Sequence, residues 1–336
     1  MKIPVERQHR DRFYQLCEQV FESNYLSEGP MVDRFERAFA GAVGPAFAAA
    51  AVCNWGAGML AVLEHLKVAG GEVIVPSNTF MACVRAVERS GATPVLADCR
   101  RDDLCLSAEA VEALIGPKTR AVMLVHIGGH LAFDADRIAD ICGAHGVPLV
   151  EDCAHCHGAE WDGRRGGCWG AAGVYSFYAT KTMPTGEGGM VVSRDADLMA
   201  YVRKWRNYGK FDYKIAGYNG RMNELTAAFG LVQLERLDEI LAFKRSLAAK
   251  YDQIFDNRVR FPDGMQSGYY KYVVFDTPLS DQTGKVFGDP CHLHMDGRWD
   301  LPNTDWVSSH HACAPIYYGY EHAEETVEPL RERLLA

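Results

Sequence analysis

Short apolar runs alternate with stretches of helical spacing through the first two-thirds of the chain. Residues 48–52, 72–75, 93–97, 121–125, 147–150, 173–177 and 190–192 are runs of strand length, mostly small or β-branched. Between them, residues 58–66, 79–89, 107–115 and 133–145 repeat their apolar positions at intervals of three and four. That is the period of a helix with one buried face. Residues 121–125 contain no polar side chain, as a strand buried on both faces requires. Ser107, with Glu109 two positions on, reads as a helix N-cap. Repeated βα units predict an α/β fold: a mostly parallel sheet flanked by helices, with ligands bound beyond the carboxyl ends of the strands. The strand ending at Val150 delivers Glu151 and Asp152 to that position.

The pattern then changes. Residues 223–255 read as one long helical region or two in line, with Leu225, Ala228, Phe229 and Val232 on one face. Beyond about residue 259 the spacing is irregular, except for a strand-like run at 268–275 and a closing helix at 324–335. A large domain over residues 1–240 and a smaller C-terminal α+β domain over 241–336 are therefore expected. A length of 336 residues fits two domains.

Charge narrows the range of partners. The formal net charge is −9, and the basic clusters, such as Arg100-Arg101 and Arg164-Arg165, are short. No basic stripe suggests nucleic acid. No apolar run reaches eighteen residues, so no membrane span is expected, and the charged residues 1–10 lack a signal-peptide core. A cytoplasmic location is the expectation. The eleven cysteines are an odd, scattered set, which predicts free thiols in a reducing compartment.

The chemistry lies between the last two strand-like runs. There Lys181 precedes the glycine-rich turn Gly186-Glu187-Gly188-Gly189. A lysine amine becomes nucleophilic when burial or a nearby cation lowers its pKa; taken alone, Lys181 reads more readily as a solvated loop residue. Upstream, Asp152 at a strand end could be a helix N-cap. Asn54-Trp55-Gly56-Ala57 links a strand to a helix whose first N–H groups could meet a phosphate.

Taken together these segments resemble the DegT/StrS-type sugar aminotransferases of the aspartate-aminotransferase superfamily, enzymes that use pyridoxal 5′-phosphate (PLP). The resemblance runs from about residue 25 to about residue 255. It rests on Ser176-Phe177, a three-residue gap, Lys181 and Gly186-Glu187-Gly188-Gly189, with Val150-Glu151-Asp152, Pro76-Ser77-Asn78-Thr79-Phe80 and Gly217-Tyr218-Asn219-Gly220-Arg221 in the right order. It implies that Lys181 carries PLP as a Schiff base and then shuttles the proton between Cα and C4′. By the same resemblance Asp152 pairs with the pyridine nitrogen, keeping it protonated. His155 lies near the phenolic oxygen, Phe80 stacks on the ring and Ser176 binds the phosphate. Gly56 and Ala57 offer backbone N–H groups to the phosphate, the family's threonine hydroxyl being lost at this turn. Asn219 reaches the phosphate of a neighbouring subunit, which implies a homodimer with shared active sites. The implied reaction moves an amino group from an amino acid, expected to be glutamate, to a keto-sugar or sugar nucleotide.

Other readings compete. A PLP enzyme acting on a cyclitol ketone or catalysing dehydration, and a non-catalytic ligand sensor, share the fold. The related sugar dehydratases replace the Schiff-base lysine by histidine, whereas Lys181 and Asp152 are both present here. Cys153-Ala154-His155-Cys156-His157 fits the c-type haem pattern C-x-x-C-H, which needs export. Cys291-His292-Leu293-His294 and His310-His311-Ala312-Cys313 could ligate metal but match no standard zinc spacing, so no metal is expected.

Overall fold

The apolar runs of the first two-thirds assemble into one sheet. A computed structural model describes residues 4–282, 284–320 and 322–336. Helices α1 (Arg7–Ser23) and α2 (Pro30–Val43) precede the first strand. Strands β1 (Ala48–Val52), β2 (Glu72–Pro76), β3 (Thr93–Ala97), β4 (Thr119–Val125) and β5 (Leu149–Asp152) then alternate with helices α3 (Trp55–His65), α4 (Ala82–Arg89), α5 (Ala108–Leu114) and α6 (Ala135–His145). A two-residue strand, β6 (Glu160–Trp161), comes before β7 (Ala172–Ser176) and β8 (Gly189–Ser193). The order across the seven-stranded sheet is β1-β8-β7-β5-β4-β2-β3.

Only β8 runs against its neighbours; the other adjacent pairs are parallel. An apolar run has the same appearance in either direction, so hydrophobic patterning could not show this reversal. Its consequence is that β7 and β8 are joined by a turn, not a helix, and that turn carries Lys181 at the carboxyl end of β7.

Local chemistry explains where the helices start. The side chain of Asn54 accepts the Ala57 N–H at 2.9 Å, so α3 begins at Trp55, earlier than its apolar spacing suggests. Ser107 caps α5 as expected, accepting the Ala110 N–H at 3.3 Å. Helix α4 begins at Ala82, later than the expected 79. The residues before it form a loop tied to the next crossover by Asn78, whose amide donates to Leu104 O at 2.6 Å.

After α7 (Ala196–Trp205), the long helical region divides into α8 (Glu224–Glu235) and α9 (Leu237–Tyr251) at Arg236. The buried Arg236 guanidinium holds Pro4 O and the Glu6 carboxylate. The boundary expected between residues 240 and 241 falls inside α9. Strand β9 (Met265–Gln266) pairs with β6, and β10 (Tyr272–Phe275) pairs antiparallel with β11 (His311–Ala314). The run at 268–275 is strand only from Tyr272, because Tyr269 turns the backbone to a positive φ of 45°. Helices α10 (Pro302–His310) and α11 (Val327–Leu335) complete the chain.

Strand alternation ties β10 into two cores. Tyr272 and Val274 pack with Leu247, Tyr251, Leu330 and Leu334, whereas Val273 and Phe275 join the core of the large sheet.

One buried carboxylate fastens the N-terminal segment to this frame. Glu224, fully buried at the start of α8, accepts the N–H groups of Gly29, Met31 and Val32 at 2.9, 2.8 and 3.0 Å, at the N-terminus of α2. Charge-assisted bonds to a helix N-terminus are strong, and three donors lose their partner together. Glu224→Ala should destabilise the fold by about 2–4 kcal/mol, read as a fall in denaturation midpoint.

Candidate active site

The carboxyl ends of β1, β5 and β7 meet at a cavity of about 330 Å³. Its wall contains Asp152 from the end of β5, Ser176 from the end of β7, Lys181 from the β7–β8 turn, and Gly56 from the first turn of α3. His155 and Phe80 also line it. Six of the eight expected residues thus border one space.

Two do not line it. The Ala57 N–H is already bonded to Asn54. Asn219 is exposed, in a segment running beside the end of β1, where Cys53 N–H donates to Gly220 O at 2.8 Å.

The lysine turn is held rigidly. Its N-terminal side is fixed by Phe177 N–H to Gly188 O at 2.9 Å and Thr185 N–H to Phe177 O at 2.8 Å. Gly189 pairs with Val52 across β1 and β8, and a Cβ there would stand 2.8 Å from the Asn54 backbone. Only glycine lets the turn press against the start of α3. Behind the turn, Lys244 Nζ donates to Thr182 Oγ1 and Tyr269 O, both at 3.1 Å, and Gln233 Nε2 donates to Pro184 O at 2.6 Å.

The electrostatics suit a reactive amine facing an anion. Burial pushes the Lys181 ammonium down to about 8, opposed by the charges of Asp152 and Cys83. About a tenth is then free amine at pH 7. Burial raises Asp152, while the Ala154 N–H at 2.9 Å and the Lys181 charge favour the carboxylate. The Cys83 thiol donates to Asp152 Oδ2 at 3.3 Å. Burial and Asp152 keep that thiol well above its usual range, so it stays a donor. The indole N–H of buried Trp55 has no partner within hydrogen-bond distance, yet lies near enough to Asp152 to favour its charged form. His155 is held neutral by burial and by Lys181, and its buried Nδ1 has no partner.

These residues fit PLP. A primary amine and a buried carboxylate face one cavity. Phe80 presents an aromatic ring that is 77% exposed, which a flat heteroaromatic would cover. The Ser176 hydroxyl, which accepts the Tyr178 N–H at 3.3 Å, and the first turn of α3 provide donors for a phosphate.

Several wall residues escaped the sequence reading. Trp55, Cys83, Tyr178 and Glu187 line the cavity, and Lys244 supports the turn. Lys244 did leave a signal: it sits on the apolar stripe of α9 with Ile240, Leu241, Leu247 and Ala248, an unexpected place for a lysine.

In the C-x-x-C-H segment both ring nitrogens of the buried His157 lack a hydrogen-bond partner among the described residues, whereas three histidines of the two C-terminal clusters have one. Cys153 and Cys156 are buried. His292 Nδ1 meets Ser77 Oγ at 2.9 Å and its Nε2 lies 3.2 Å from Asp305. His310 bonds Trp306 O, and His311 Nε2 accepts the Val286 N–H. All eleven cysteines are free. Among the described residues, no helix is long and apolar enough to cross a membrane.

Comparison with known proteins shows the family. The chain is 38% identical over 317 residues to a GDP-perosamine synthase of Vibrio cholerae, covering 90% of this chain and 83% of that protein. It is 36% identical over 293 residues to the L-glutamine:2-deoxy-scyllo-inosose aminotransferase of Streptomyces fradiae, covering 77% and 69%. Its structure matches that of the aminotransferase TlmJ from Streptoalloteichus hindustanus with a TM-score of 0.89 at 30% identity, over 99% of this chain and 97% of that one. The model of the DegT/DnrJ/EryC1/StrS aminotransferase family matches residues 7–280, and the chain belongs to that family.

Proposed function

We propose that this protein is a PLP-dependent sugar aminotransferase, moving an amino group from an amino acid to the carbonyl of a keto-sugar or sugar nucleotide. The observation that carries this is the Lys181 amine facing buried Asp152 across one cavity in a chain of this family. Bound PLP supplies an electron sink and a carrier for the amine. The protein supplies the rest. Lys181 Nζ binds the cofactor and holds or moves the proton at the reacting carbon. Asp152 keeps a proton on the ring nitrogen. Phe80 covers the ring face, while Ser176 and Gly56 hold the phosphate. The neutral His155 offers its unpartnered Nδ1 to the ring's oxygen.

Glutamate is the proposed donor. The named activity of the Streptomyces fradiae relative makes glutamine the comparison to run beside it, and a cyclitol ketone the comparison acceptor. Its free cysteines suit a reducing compartment, the cytoplasm. The partner is a second copy of the chain. Near Asn219, Phe211 is 84% exposed, and Tyr208, Tyr213 and Tyr218 are also exposed, a ring-rich surface that a dimer would cover. A partner's asparagine would then complete the phosphate site.

Borohydride reduction of the PLP-loaded protein, followed by peptide mass mapping, tests the reading. A pyridoxyl group on Lys181, together with loss of the visible band when glutamate is added, is the expected result. A protein that develops no visible band with PLP would overturn it.

A further inference from the structure

Tyr270 comes from the C-terminal part of the chain, and nothing in the proposed chemistry calls for it. Its place is nevertheless closely set. Gly268 N–H donates to Gly129 O and Lys271 N–H to Gly128 O, each at 2.8 Å, clasping the backbone on both sides of Tyr270. Gly129 adopts a φ of +112°, and a Cβ there would stand 2.2 Å from Tyr270 N. Only glycine allows this approach.

From that backbone the Tyr270 ring reaches His155, Lys181 and Thr180, and also Lys271, whose Nζ lies 5.7 Å from the ring centroid. It stacks on the His155 imidazole, with centroids 4.0 Å apart and planes 20° apart. Its face lies 4.9 Å from Lys181 Nζ. Its hydroxyl stands 3.4 Å from Thr180 Oγ1, on the residue before the lysine. A lysine has four rotatable carbons and loses rotamer freedom whenever it is held. An aromatic face restrains an ammonium without supplying a carboxylate that would lock its proton in place. Stacking likewise fixes an imidazole plane while leaving both ring nitrogens free to bond.

We propose that Tyr270 is a positioning residue for Lys181 and His155, its ring face holding the lysine ammonium and its stacking fixing the imidazole plane. This rests on the reading of Lys181 as the reactive amine. It also makes the C-terminal segment a partner in setting the site. The other charged or titratable groups acting on Lys181 are Asp152 on β5, Cys83 on α4 and Lys271 beside Tyr270. His155 faces it from the loop after β5. Changing Tyr270 removes none of these groups, although His155 stacks on its ring and Lys271 Nζ lies 5.7 Å from its centroid.

The test reads the lysine itself, in the full chain freed of cofactor. Trace labelling with acetic anhydride between about pH 6 and pH 10, mapped by mass spectrometry, gives the midpoint at which Lys181 becomes reactive. In Tyr270→Leu the apolar volume remains but the ring face is lost. The midpoint should fall by roughly half a unit to one unit. Tyr270→Phe keeps the face and should stay within about a fifth of a unit of wild type. In the loaded enzyme, Tyr270→Leu should lower kcat roughly tenfold to a hundredfold with the donor KM nearly unchanged, and Tyr270→Phe should restore most of it.

A midpoint that is unchanged in Tyr270→Leu, or that rises as admitted water would make it, overturns the proposal. If Tyr270→Leu does not fold, Tyr270→Met takes its place. A midpoint that falls as expected while borohydride fixes no cofactor on Lys181 would uphold the role of Tyr270 and reject the proposed function instead.

Discussion

Lys181→Ala should give a folded protein whose turnover is lower by roughly ten-thousandfold or more, the loss expected when a covalent nucleophile is also the proton carrier. The fold should survive because the turn does not depend on this side chain. Backbone bonds from Phe177, Lys181 and Thr185 shape it, and Lys244 and Gln233 brace it from behind. The lysine amine is itself poorly solvated, so its removal relieves a cost. Equal thermal midpoints for the two proteins, with turnover lost only in the variant, would separate catalysis from stability. A free-amine midpoint near 8 also gives the capture step a pH dependence. Below that value the rate of PLP binding to Lys181 should rise about tenfold per pH unit, and above it the rate should level off. Stopped-flow absorbance between pH 6 and 10 would show this, and retained turnover in Lys181→Ala would refute the assignment.

The parts of this architecture that could be read from the chain are those written in local pattern. Residues 121–125 are apolar throughout because β4 is buried between parallel neighbours on both sides, and the other strands leave similar traces. The direction of β8 leaves none, since period two reads alike both ways. Lys181, Asp152, Ser176 and Phe80, which the family resemblance singles out, all line the one cavity; position alone would not have distinguished them. In the sequence Trp55 reads as part of a tight turn and Cys83 as one of the scattered thiols, because facing Asp152 is a tertiary property of α3 and α4. Ala57 was expected to offer its N–H to a phosphate. The Asn54 side chain takes that bond instead, a competition visible only once Asn54 is recognised as the cap. Tyr270 reads from the sequence as a strand residue, whereas β10 begins only at Tyr272; its place at the site leaves no local trace, because its neighbours His155 and Lys181 lie about a hundred positions away in the chain.

Asp152→Asn separates function from stability in the opposite way. Burial raises the folded-state pKa of Asp152 above its value in the unfolded chain. The folded state therefore binds this proton more tightly than the unfolded state does. The stabilisation from that proton is complete at acid pH below the unfolded value and is lost as pH rises through the folded value. When ionised, the buried carboxylate is a cost to the fold, only partly offset by Ala154 N–H, Cys83 and Lys181. A neutral amide of the same shape removes this cost, so Asp152→Asn should have a thermal midpoint at neutral pH equal to or above that of wild type. Its turnover should fall by roughly a hundredfold to ten-thousandfold, because no anion remains to keep the cofactor's ring nitrogen protonated, while PLP still binds through Lys181 and the phosphate donors. In the cofactor-free wild type Asp152 should take up its proton above the usual carboxylate range, a step that carboxylate infrared difference bands would show and that should vanish in the variant. A folded Asp152→Asn protein with full turnover would place the ring nitrogen's partner elsewhere. A strongly destabilised one would mean that the carboxylate serves the fold more than the reaction.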